Sequence, residues 1–148
     1  MRSMFDRAVR EQLLGRLRRL TQDSGARWGR MTAPQMIAHL SDQMRHTLGD
    51  RPTQPKQGPL RWPIVRNLTI YWLPWPKGRV QGPPEAFTNQ PTTWPADVAG
   101  LERLVERFAV GNPGDAWPEH ALFGRMSGKD WGVFCYRHFD HHFRQFGV

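Results

Sequence analysis

Apolar residues recur at intervals of three and four between Phe5 and Leu20, where Phe5, Val9, Leu13, Leu17 and Leu20 share one helical face. Arg7, Arg10, Arg16, Arg18 and Arg19 fill the positions between them, the pattern of a first amphipathic helix with a solvated basic side. A second helix is signalled at Thr32-Ala-Pro-Gln35. There the threonine can accept from unpaired backbone N–H groups, Gln35 can reach back to complete a capping box, and Pro34 sits in the first turn, where no helical N–H is lost. Met36, Leu40, Met44 and Leu48 mark the apolar face of this helix before Gly49 ends it. A third begins at Thr93-Trp-Pro-Ala-Asp97, buries Val98, Leu101, Leu104, Val105 and Phe108, and stops at Gly111 and Pro113. The last opens on the short capping box Ser127-Gly-Lys-Asp130 and runs through Trp131, Phe134 and Phe143 to Gly147.

Ten prolines fall between Arg51 and Pro95, some in Trp-Pro pairs such as Trp62-Pro63 and Trp75-Pro76, which excludes long regular structure from this connection. Its stretch from Leu60 to Leu73 is rich in large apolar residues and is expected to pack as a short helix or ordered loop. With no repeat, heptad pattern or low-complexity tract, the economical architecture is all-α: one four-helix bundle over residues 1–148 with a long proline-rich connection between helices two and three. The length of 148 residues, with 39% hydrophobic and 23% charged residues, suits a single globular domain.

The single cysteine, Cys135, excludes an internal disulfide, and together with the lack of a leader-like segment it fits a reducing cytoplasm. No apolar run approaches the roughly 20 residues that cross a bilayer, so no membrane is expected as a partner. A net charge of +8 raises nucleic acid as a partner. No helix-turn-helix, zinc-finger or RNA-binding pattern accompanies it, and solvated arginines are the simpler reading.

Five of the six histidines, His39, His46, His138, His141 and His142, fall on two predicted helices. Residues four apart on a helix lie about 6 Å apart along the axis and about 40° apart around it, so His138 and His142 can present two imidazoles to one ion. His39, in an apolar neighbourhood of helix two, can add a third nitrogen and leave positions open to water. His46 and His141 are reserve ligands. Spacing leaves two structural alternatives open: hydrogen-bonded core imidazoles, and cations near the negative end of a helix. Gln35, Asp42 and Gln43 lie one turn from His39 and could orient its ring, although a solvated polar face is the simpler expectation. Asp140 points away from the pair, and Cys135 reads as a small buried hydrophobe. Trp62, Trp72 and Trp75 can form a packed wall over a bundle mouth or stack on bases in a nucleic-acid groove, and the packed wall is the expectation.

Three segments carry a resemblance: Trp28-Gly-Arg-Met-Thr-Ala-Pro-Gln-Met-Ile-Ala-His39, His120-Ala-Leu-Phe-Gly-Arg-Met-Ser-Gly-Lys-Asp-Trp131 and Tyr136-Arg-His-Phe-Asp-His-His-Phe-Arg-Gln-Phe-Gly147. Through them the chain resembles the DinB/YfiT-like superfamily, within a bacterial branch known only as a domain of unknown function. The resemblance implies an up-up-down-down four-helix bundle in which His39, His138 and His142 bind a divalent ion, nickel or zinc foremost. It also implies a metal-dependent transferase or hydrolase that acts on a small-molecule substrate through a metal-activated thiol or water. The low-molecular-weight thiols used by relatives of this kind are mycothiol, bacillithiol and glutathione. Arg45, Arg137 and Arg144 are candidates to meet the carboxylates of such a thiol. Two other readings stand beside this one: a basic nucleic-acid-binding module with structural histidines, and a non-catalytic interaction bundle that forms a homodimer through an exposed aromatic patch.

Overall fold

In the computed structural model, which describes residues 1–78 and 89–148, the chain forms five α-helices and, among the described residues, no strand. They are α1 (Arg7–Leu17), α2 (Ala33–Thr47), α3 (Pro63–Tyr71), α4 (Trp94–Val110) and α5 (Gly128–Gln145), with a 3₁₀ turn at Pro59–Arg61 before α3. The expected proline-rich connection includes residues 79–88, with Pro83 and Pro84, which lie outside the described residues.

Local chemistry sets the ends of these helices. Asp6 caps α1 by accepting from the N–H groups of Ala8 and Val9, so this helix starts after Phe5. It ends at Leu17, short of the expected Leu20, which is nonetheless buried in the turn that follows. Both expected capping boxes are present. Thr32 N–H donates to Gln35 Oε1 at 2.9 Å while Gln35 N–H donates to Thr32 Oγ1 at 3.3 Å. At α5, Ser127 N–H donates to Asp130 Oδ2 at 2.9 Å and Asp130 N–H donates to Ser127 Oγ at 3.2 Å.

Helices α1 and α2 each pack against both α4 and α5, whereas α1 does not approach α2 and α4 does not approach α5. The four therefore form a ring in the order α1, α4, α2, α5, with α1 and α2 on one diagonal. Leu13 and Leu17 of α1, Met36, Ile37, Leu40 and Met44 of α2, Leu101, Val105 and Phe108 of α4, and Trp131, Phe139 and Phe143 of α5 fill the centre. Each such side chain contributes about 1.5–3 kcal/mol of transfer free energy before the entropy of ordering it is subtracted.

The basic side of α1 is not wholly solvated. Arg16 donates to Asp140 Oδ1 at 2.7 Å and to the Val148 carbonyl at 2.8 Å, tying α1 to the end of α5. The missing side chain of Gly132 lets the amino-terminal segment lie directly on α5: Met4 N–H donates to the Gly132 carbonyl at 2.8 Å, and a Cβ there would come within 2.7 Å of Phe5.

The stretch from Leu60 to Leu73 becomes the 3₁₀ turn and α3, laid on α5. Tyr71 Oη donates to Asp130 Oδ1 at 2.5 Å. The Arg137 guanidinium donates to the carbonyls of Thr69, Ile70 and Leu73 at 3.0, 2.7 and 2.5 Å, satisfying acceptors that the helix end leaves open. Of the expected tryptophan wall only Trp75 packs inward. Trp62 and Trp72 are 65% and 74% exposed, because α3 is short and commits only Ile70 fully to the core. Among the described residues no helix is long and apolar enough to cross a membrane.

Candidate metal centre

α2 and α5 lie side by side, and their facing sides bring His39, His138 and His142 together. His39 Nε2 is 3.0 Å from His138 Nε2, and His142 Nε2 is 3.2 Å from the same atom. All three rings are buried, with centroids 4.9 to 5.0 Å apart. With metal–nitrogen bonds of 2.0–2.1 Å, two imidazole nitrogens are about 2.8–3.0 Å apart at adjacent octahedral positions and about 3.3–3.4 Å apart at tetrahedral ones. The two observed separations fall within that span.

The tautomer of His142 is set by a residue outside the cluster. Gln145 Nε2 donates to the Trp28 carbonyl at 2.8 Å, which turns the amide oxygen towards His142 Nδ1, also at 2.8 Å. His142 Nδ1 must then carry the proton, and His142 Nε2 presents a bare lone pair to the centre. His138 Nδ1 is buried without a hydrogen-bond partner among the described residues. Burial, reinforced by the neighbouring imidazoles of His142 and His39, holds His138 well below the usual histidine range. Burial, reinforced by His39, brings His142 down to about 3. Both rings are neutral at pH 7, the state in which imidazole ligates. Three converging, inward-facing nitrogens, two of them on rings held neutral by burial, could hold a divalent ion, and they belong to the three histidines named from the sequence.

The surroundings are apolar on one side. Trp75 lies 5.7 Å from the His138 ring and 5.5 Å from Phe134, which is itself 5.6 Å from His138. Beyond Phe134 lies His120, 4.8 Å away. Its Nδ1 accepts from the N–H groups of Leu122 and Phe123 at 3.1 and 3.2 Å, so its proton is on Nε2, and burial lowers its pKa to about 3.

The reserve ligands stand apart from the converging set. His46 Nδ1 lies 3.3 Å from the Arg51 carbonyl, and His141 packs on Trp28 and Trp75, each at 6.0 Å. Cys135 is buried beside Thr47, and burial pushes its thiol up to about 12. Asp140 points away, as expected, and pairs with Arg16 and Arg144.

Asp42 and Gln43 are not on a solvated face. Gln43 is buried and donates to Thr47 Oγ1 at 3.4 Å. The Asp42 carboxylate is fully buried and accepts from Arg51 at 3.1 Å, Arg45 at 3.5 Å, Asn89 N–H at 3.0 Å and Asn89 Nδ2 at 2.5 Å. Arg51 and Asn89 stand on either side of the long connection, so one carboxylate fastens both of its ends to α2. The candidate arginines are engaged within the protein: Arg137 with the end of α3, Arg144 with Asp140, and Arg45 with Asp42.

Sequence reasoning missed Gln145 and His120 as parts of this region. Gln145 lies three residues after His142, at helical reach of it, and that spacing was the available signal. His120 lies outside the helices, where periodicity says nothing. Comparisons with protein-family models, curated proteins and solved structures gave no match.

Proposed function

We propose that this chain is a metalloprotein in which His39, His138 and His142 hold one divalent ion, zinc or nickel, and that it acts as a DinB-like enzyme on a small-molecule substrate. The observation that carries the reading is the convergence of three Nε2 atoms at 3.0 and 3.2 Å, with the tautomer of His142 fixed by Gln145. The diagonal placement of α1 and α2 supports the up-up-down-down order, since in that order the two parallel first helices are not neighbours.

Held by His39, His138 and His142 with positions left open, a divalent ion would lower the pKa of a bound water or low-molecular-weight thiol towards neutrality and so would supply a nucleophile. The residues of the chain bind and shape around that chemistry. His142 is oriented by Gln145, while Trp75 and Phe134 exclude water from one side of His138. Arg45 and Arg137 are committed to Asp42 and to the end of α3, which leaves the largely exposed Arg144, paired with Asp140 on its own helix, as the candidate to meet a thiol's carboxylates.

The test is elemental analysis of tag-free protein by inductively coupled plasma mass spectrometry, comparing wild type with His39→Ala and His138→Ala. About one ion per chain, lost in both variants, is the expected result. A wild-type protein that carries no metal and takes up neither zinc nor nickel would leave the three imidazoles as core residues.

A further inference from the structure

We infer that the outer face of α3 docks the protein onto an anionic lipid surface. Ile64, Leu68 and Trp72 are spaced four apart and form one stripe along this helix, 76%, 44% and 74% exposed. Trp62 and Leu73 extend it at the two ends, 65% and 48% exposed. These are five of the seven large hydrophobic residues exposed among the described part of the chain, gathered on one short element. A contiguous apolar patch of this kind marks an interaction site.

The stripe is held outward. Ile70 is buried beneath the helix, Tyr71 is bonded to Asp130, and Arg137 gathers the carbonyls of Thr69, Ile70 and Leu73. Rolling α3 to hide the stripe would break these bonds.

Charge identifies the partner. From Pro59 to Gly78, the stretch that holds the stripe, the chain carries Arg61, Arg66 and Lys77 and no aspartate or glutamate, within a protein of net charge +8. Arg66 reaches back to the Arg125 carbonyl, which adds the 93%-exposed Arg125 side chain to the same edge. The acids at this edge are already engaged, Glu119 by Arg61 and Arg125 and Asp130 by Tyr71 and Ser127. Tryptophans at both ends of a short amphipathic helix with cations at its margin suit the headgroup region of a bilayer, where rings lie at the interface and basic groups meet anionic lipid. A nucleic acid would stack on the tryptophans but offers nothing to Ile64, Leu68 and Leu73. A second copy of this face would set the cations of both chains against each other. The inference concerns lying on a surface and is independent of the metal site.

The experiment is co-sedimentation of the full chain with phosphatidylcholine vesicles containing or lacking phosphatidylglycerol, for wild type and for the double variant Leu68→Ser/Trp72→Ser. Both changed side chains are exposed, so an unchanged thermal midpoint certifies the fold. Wild type is expected to partition onto the anionic vesicles at least about tenfold more strongly than onto the neutral ones, and the double variant about tenfold more weakly than wild type. The inference is overturned if wild type stays in solution with anionic vesicles, or if the double variant partitions equally well. Light scattering that shows a wild-type dimer made monomeric by the same substitutions would assign the face to a second copy instead.

Discussion

Gln145 Oε1 lies 2.8 Å from His142 Nδ1, and the opposite edge of the same amide is fixed by the Trp28 carbonyl. The glutamine thus selects the proton position of a ring it does not share a function with. Removing it in Gln145→Ala is expected to weaken zinc binding about 10- to 100-fold, because the tautomer and ring angle of His142 would no longer be held. Competition titration against a chromogenic chelator measures this, and Gln145→Glu, which keeps the acceptor, should recover most of the affinity. Equal affinity in wild type and Gln145→Ala would show that the amide has no part in the site.

The Asp42 carboxylate holds Arg51 and Asn89 to α2 from a fully buried position. Asp42→Ala would remove the carboxylate to which Arg51 and the Asn89 N–H both donate. Losing one partner of a buried pair costs about 3–5 kcal/mol, and the partial exposure of Arg51 reduces this to about 2–3 kcal/mol. Urea denaturation should show the loss as a lower midpoint with the slope preserved. A midpoint unchanged from wild type would mean that the two ends of the connection are secured by other contacts.

Acid should destabilise the metal-free fold through its neutral histidines. Unfolded imidazoles protonate near 6.5, whereas burial keeps His120 and His142 neutral down to about 3 and holds His138 low as well. Between those limits the unfolded chain binds more protons, so stability present at neutral pH falls as the pH drops below about 6.5, by up to about 1.4 kcal/mol per pH unit for each ring. Urea midpoints measured at neutral pH and near about pH 5 should therefore differ clearly. Coincident midpoints would show that these rings are protonated in the folded state.

Helix starts were the most legible feature, because a capping box is local: Thr32 with Gln35 and Ser127 with Asp130 each contain the whole interaction in four residues. The convergence of His39 with His138 and His142 was legible for a related reason, since helical spacing fixes the pair and an apolar neighbourhood turns the third ring inward. Asp42 was not. Nothing beside it in sequence distinguishes it from a solvated acid, and its burial comes from Arg51 and Asn89, delivered by the fold of the connection. Trp62 and Trp72 failed in the opposite direction. Their size argued for burial, but a nine-residue helix tied down by Tyr71 and by Arg137 has only one inward side to offer.

His39 and His138 are 99 positions apart in the chain and 3.0 Å apart at their nitrogens. His138 and His142 converge only while α5 is helical, and His39 joins them only while α2 and α5 remain side by side, so a complete site exists only in the folded chain. An ion bound there would act as a removable cross-link between distant parts of the polypeptide. At a free concentration about a hundredfold above its dissociation constant it would add about 2.7 kcal/mol to folding. Metal supply and the lifetime of the folded chain would then be coupled, and starving a cell of the ion would thin the population of this protein.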